Sequence, residues 1–131
     1  MADCLASLEG IAQQIVVVDT NSTDNTLVIA KNYGAVVSQP ADWPGFGPQK
    51  NRALDLATGE WVLSLDADER LTPALRSEIL TAINHSAHVD CFAIPRLSWY
   101  CGRFIQHSGW SPDYVDPVSY THLTLPTKRI V

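Results

Sequence analysis

Basic residues are scarce in this chain. Nine lysines and arginines stand against 14 aspartates and glutamates, a formal net charge of −5 over 131 residues. A nucleic-acid binder needs a basic footprint to neutralise phosphates, so this balance argues against one. Cysteine is scarce too: Cys4, Cys91 and Cys101 are odd in number and show no CxxC spacing. That excludes a disulfide framework and a cysteine-based zinc centre, and it fits a reducing cytoplasm. No apolar run approaches the ~20 residues that a membrane-spanning helix needs, and no secretory signal opens the sequence. There is neither a P-loop nor a GxGxxG motif, and Gly45-Phe46-Gly47 is too short to count as one. Repeats and low-complexity segments are absent as well. What is present is a globular balance, 46% apolar and 18% charged, enough for one domain with a core.

Strand and helix patterns alternate along the middle of the chain. Residues 14–19 (QIVVVD) form a continuous β-branched run, the pattern of a strand buried on both faces. Thr23 or Asp24 can cap a helix running to Tyr33, and Gly34 ends it. Residues 35–39 read as a second short strand. Residues 40–48, with three prolines and two glycines, read as a loop, and 49–57 as a helix stopped by Gly59. A third strand is expected over 60–65. Thr72 followed by Pro73 is a strong helix start, and that helix should reach Asn84. Residues 89–95 read as a fourth strand, in which Cys91 is expected to be a small buried hydrophobe. Residues 96–115 are aromatic-rich and irregular; Trp99, Tyr100, Phe104 and Trp110 could be core or could stack on a sugar. This alternation predicts an α/β fold with a mostly parallel sheet flanked by helices.

Both ends depart from this pattern. Residues 2–9 read as the last turns of a helix with Gly10 just past its end, and in an alternating α/β chain a strand should precede it. From Val118 the sequence reads VSYTHLTLPTKRIV, and its first ten residues are what GTC TCT TAT ACA CAT CTG ACG CTG CCG ACG encodes. That string resembles a transposon-end sequencing adaptor, so residues 118–131 are set apart as a non-native tail. The organisation expected is therefore a partial α/β domain over 1–117 without its first strand, followed by that tail. Without Lys128 and Arg129 the remainder is more acidic still.

Ligands of open α/β sheets bind outside the carboxyl ends of the strands. Two acidic clusters lie at such ends: Asp19 with Asp24, and Asp66-Ala67-Asp68-Glu69. Carboxylates at i and i+2 on a tight turn can face one hard cation, which keeps other positions open for phosphate oxygens. The bland alternative is that Asp68 and Glu69 only favour a following helix N-terminus, worth ~0.3–1 kcal/mol. An EF-hand starting at Asp66 fails, because Leu71 and Ser77 stand where glycine and glutamate are required. A haloacid-dehalogenase-type phosphatase motif fails at its fifth residue, Arg70. His85, His88 and His107 have no ligand spacing.

Three segments together resemble a family. VVVDTNSTDNT (16–26) is similar to the signature after the second strand of family 2 glycosyltransferases of GT-A fold. GFGPQKNRALDLATGEWVLSLDADERL (45–71) resembles that family's lysine-bearing helix and DxD segment. PRLSWYCGRFIQHSGWSPDY (95–114) resembles the bacterial lipopolysaccharide core β-1,4-glucosyltransferase subgroup. The resemblance implies donor-binding roles for Asp19 at the base, Asp24 in the loop, Lys50 at the phosphates and Asp66 at the ribose or a metal-bound water. It implies that Asp68 ligates a divalent cation, Mg or Mn, and that Trp110 and Asp113 lie toward the sugar and acceptor. Thr20-Asn21 replaces the family's Ser-Gly, and Asn tolerates the left-handed turn needed there. Ser111 replaces a common Tyr.

The implied activity is inverting, metal-dependent transfer of a hexose from a nucleotide diphosphate sugar, with UDP-glucose as the subgroup's usual donor. The implied acceptor is a cell-envelope glycan such as lipopolysaccharide core. The implied location is cytoplasmic, peripheral at the inner membrane. The catalytic base is unknown: Asp113 is the one acid in the right region, and the family's usual base would follow residue 115. The chain alone is therefore expected to be inactive. The family's first strand would lie between 14–19 and 60–65 and would precede residue 1, so those two segments are expected not to pair with each other. Two other readings stay open. One is a non-catalytic nucleotide-sugar-binding protein. The other is a metal-dependent phosphate hydrolase using the same acidic turn.

Overall fold

A computed structural model describes residues 1–85 and 89–104 in full and the backbone of 113–120. The elements run α1 (Ala2–Ser7), β1 (Val16–Val18), α2 (Thr26–Asn32), β2 (Val36–Ser38), α3 (Phe46–Asp55) and β3 (Trp61–Leu63). They continue α4 (Pro73–Asn84), β4 (Cys91–Arg96), β5 (Trp99–Tyr100), β6 (Arg103–Phe104) and β7 (Asp113–Tyr120). The fold is α/β, as the alternation predicts. The parallel pairing is β1 with β2, in register Val16 to Val36. β7 lies between β3 and β4 and is antiparallel to both. β3 and β4 therefore run parallel to each other, and α4 is the crossover between them. No backbone ladder joins β1 to β3 among the described residues.

Several local expectations hold for the stated reasons. The Thr72 hydroxyl accepts from the Leu75 N–H at 3.1 Å, and Pro73 follows at the first helical position. Gly34, at φ +71°, follows the end of α2 in the left-handed conformation that needs no Cβ.

Other expectations are corrected. α3 begins at Phe46, inside the segment read as a loop. Pro48 falls in its first turn, where a missing N–H breaks no intrahelical bond. The cap of α2 is Asn25, with the Asp24 carboxylate taking the Thr26 N–H at 2.9 Å. The strands of the first half are three residues long. Of β1 only Val17 is buried, and β3 is half-buried throughout. Cys91 is exposed: β4 alternates, turning Phe92 and Ile94 inward and Cys91, Ala93 and Pro95 outward. The β5–β6 hairpin turns at Cys101 and Gly102, both at positive φ. It leaves Trp99 61% exposed, with Tyr100 and Phe104 also outside, so these aromatics are not core. Residues 118–120 of the segment set apart as a tail complete β7, opposite Leu63, Val62 and Trp61 in that order.

The core lies where α4 covers β3 and β4. Leu71, Ile79 and Ile94 are buried there, with Leu8, Ile11, Trp61, Leu65 and Phe92 packed around them. α3 lies beside β1 and runs against it. Gln14, before β1, donates to the Leu56 carbonyl at 3.2 Å and accepts the Thr58 N–H at 2.8 Å, beyond the far end of α3. The N-terminal half of α3 thereby sits at the carboxyl ends of β1 and β3, where a ligand would bind.

Candidate functional site

The loop that leaves β1 is folded tightly. Asp19 is 7% exposed, and its N–H donates to the Ser38 carbonyl at 3.0 Å, extending the β1–β2 ladder by one bond. Its carboxylate accepts the Ser22 N–H at 3.1 Å and the Ser22 hydroxyl. Between them Asn21 takes φ +58°, the left-handed turn that its short polar side chain tolerates. Further along, the Thr26 side chain and N–H bind the Asp24 carboxylate and hold its pKa below the usual range.

α3 reaches across to both strand ends. Gln49, 8% exposed, donates from Nε2 to the Thr20 hydroxyl at 2.8 Å. Its Oε1 accepts from Arg52 Nη1 at 3.0 Å. Arg52 also grips both oxygens of Asp42, at 2.9 and 2.8 Å, which lowers the Asp42 pKa. The next residue, Lys50, places Nζ 3.3 Å from Asp66 Oδ1. This ion pair is partly solvated and contributes little to stability, so its cation is free to exchange partners.

The acidic turn after β3 closes on itself. The Glu69 N–H donates to the Asp66 carbonyl at 3.0 Å, while the Asp66 N–H donates to Glu69 Oε2 at 2.9 Å. Arg96 of β4 holds the other Glu69 oxygen at 3.5 Å. From α1, the Cys4 thiol donates to the Asp66 carbonyl at 3.6 Å, and burial raises its pKa, which keeps it an unreactive thiol. Glu69 thus shapes the turn rather than serving a helix N-terminus. Asp68 is exposed and takes part in none of the hydrogen bonds or ion pairs of the described residues.

Asp68 and Asp24 line one open cleft of about 720 Å³, whose walls are the start of α2, the acidic turn and α1. No group of three or more His, Cys, Asp or Glu converges there or elsewhere among the described residues. The chain thus offers a hard cation one free carboxylate, with a second across the cleft. That fits a magnesium-like ion held chiefly by substrate phosphates and water, and it does not fit an all-protein cage.

The structure therefore brings Asp24 and Asp68 to one cleft and joins Lys50 to Asp66. It places Asp19 under the first loop with its carboxylate on Ser22. Trp110 lies outside the described residues, as does the Asp113 side chain; the Asp113 backbone opens β7, opposite Arg96. Sequence reading missed Gln49 and Glu69 as shaping residues. The available signal was that each adjoins a motif residue, Lys50 and Asp68.

The sequence profile described as "Glycosyl transferase family 2" matches residues 1–128. The chain belongs to glycosyltransferase family 2. It has the α/β architecture of that family's GT-A fold. It is 42% identical over 80 residues to an uncharacterized glycosyltransferase of Rickettsia conorii, covering 60% of this chain and 28% of that protein. It is 30% identical over 119 residues to the lipopolysaccharide core biosynthesis glycosyltransferase LpsC of Rhizobium meliloti, covering 88% of this chain and 42% of that protein. The prophage-derived glycosyltransferase SunS of Bacillus subtilis is 28% identical, across 98% of this chain and 34% of its own length. The chain thus spans less than half the length of each of these relatives.

Proposed function

We propose that this chain is the donor-binding part of an inverting hexosyltransferase that uses a nucleotide diphosphate sugar, UDP-glucose for preference. The observation that carries the reading is the uncommitted carboxylate of Asp68, which shares a cleft with Asp24 and stands two residues past Asp66, the partner of the exchangeable cation Lys50. Lys50 leaves Asp66 for the donor phosphates, where an ammonium acts as a point charge. Asp66 then turns to the ribose or a metal-bound water. Asp68 holds Mg or Mn, which when bound neutralises charge on the leaving diphosphate. Asp19 and Asp24 keep the first loop in shape at the base end of the cleft. Trp110 and Asp113 serve the sugar and acceptor side, and the base that deprotonates the acceptor is not assigned.

The acceptor we propose is a cell-envelope glycan of the lipopolysaccharide core type, which LpsC's name and the 95–114 segment support. The work site would be the cytoplasmic side of the inner membrane, with the protein bound peripherally. No helix among the described residues is long and apolar enough to cross a membrane. The 131-residue chain is expected to bind donor.

Thermal unfolding with UDP-glucose tests this reading. A ligand at about 100 times its Kd stabilises a protein by ~2.7 kcal/mol. The melting temperature should rise with UDP-glucose and MnCl2 together, and Asp68→Asn should lose the rise. A rise of equal size in EDTA would contradict the metal role.

A further inference from the structure

We infer that Gln49 is a positioning residue that sets the loop after β1 against the lysine of α3; the inference rests on the donor-binding reading above. β1 and β3 share no backbone ladder among the described residues, and a side-chain link joins their carboxyl ends. Two consecutive residues of α3 supply it. Gln49 holds Thr20 at 2.8 Å, next to Asp19 and the left-handed Asn21, and Lys50 holds Asp66 at 3.3 Å. One turn of one helix thus spans both halves of the donor site.

Gln49 is itself fixed. Its carbonyl oxygen accepts from Arg52, and Arg52 is anchored bidentately on Asp42. The amide is 8% exposed, so it is not available to touch a ligand and acts through Thr20. A buried amide that loses its partner carries a desolvation cost, which gives this link directional strength that an apolar contact would lack. The consequence concerns affinity more than folding. Breaking the Gln49–Thr20 bond frees the loop that Asp19 and Ser22 shape, while the core under α4 is untouched.

The test is calorimetric titration of the 131-residue chain with UDP in MnCl2, run alongside thermal unfolding. Gln49→Leu and Thr20→Val should each weaken UDP binding by about three- to tenfold, the range of one hydrogen bond. The double variant should be no weaker than the worse single, because one bond is lost in all three. Gln49→Glu should bind nearly as wild type, since its carboxylate can accept the Thr20 hydroxyl and keep Arg52. Equal UDP affinity in wild type and Gln49→Leu, or a fall in melting temperature without a fall in affinity, would overturn the inference alone. A wild-type chain that fails to bind UDP with Mn would overturn the donor reading and the inference with it.

Discussion

Lys50 and Asp66 stand 3.3 Å apart with both side chains partly in water, and that exposure decides what the pair is for. An exposed ion pair contributes about 0–1 kcal/mol, so Lys50→Ala should leave the unfolding midpoint nearly unchanged. If the ammonium serves the donor phosphates, the same substitution should weaken UDP binding by at least tenfold in a fluorescence titration. A destabilised chain with normal affinity would assign Lys50 to structure instead. Asp24 allows a pH test. Its pKa is lowered by Thr26, through the side chain and then the backbone N–H. A carboxyl with a folded pKa below its unfolded one stabilises the fold above the unfolded value. That contribution disappears as pH falls through the folded one. Asp24→Asn should therefore narrow the gap in stability between neutral and acid pH, measured by urea unfolding across that range. An unaltered gap would deny Asp24 its role at the start of α2. Motif residues such as Lys50, Asp66 and Asp68 were legible in the sequence because charge at a strand end stands out. Gln49 and Glu69 were not, because their importance lies in which atoms they hold. The Thr20 hydroxyl and the Asp66 N–H become their neighbours only after folding.

Among the elements, α4 was the most readable and β7 the least, while α3, expected over 49–57, begins three residues earlier, at Phe46. A Thr cap and a Pro at the first position both pointed to α4, and the Thr72 hydroxyl makes the expected bond. Thr72→Ala should cost ~1 kcal/mol in urea unfolding. A loss within error would mean that packing of Ile79 and Leu75 alone sets the helix start. For α3, Pro48 and the paired glycines signalled a loop, whereas a helix's first turn has no intrahelical N–H bond to lose. β4 was misread at Cys91 for a related reason. The composition of a strand reports that it is half apolar, and only the register with β7 decides which half faces α4. β7 itself was read as irregular sequence and then as tail. Its partners lie 17 to 28 residues away in β4 and 55 to 59 residues away in β3, separations that local patterning does not span.

For the whole molecule, the α/β class followed from alternation, while the division into separate sheets did not. β1 and β2 form one, β3, β7 and β4 another, and the side chains of Gln14 and Gln49 tie α3 and the loop after it to both ends of β1. The buried cluster of Leu71, Ile79 and Ile94 belongs to the second sheet alone. Ile79→Ala should therefore cost about 2–5 kcal/mol, a large share of a typical domain's ~5–15 kcal/mol. Hydrogen exchange should show the loss first in α4, β3 and β4, and uniform loss across β1 and β2 would mean that the two sheets unfold as one unit. The site sits where these parts meet, so its competence depends on both.

The most direct test of the central claim is calorimetric titration of UDP-glucose into this chain, in MnCl2 and again in EDTA, for wild type and Asp68→Ala. The account predicts saturable one-to-one binding by wild type in manganese, with the heat lost in EDTA and lost in the variant. Binding that survives both changes, or no binding by wild type in manganese, would contradict it.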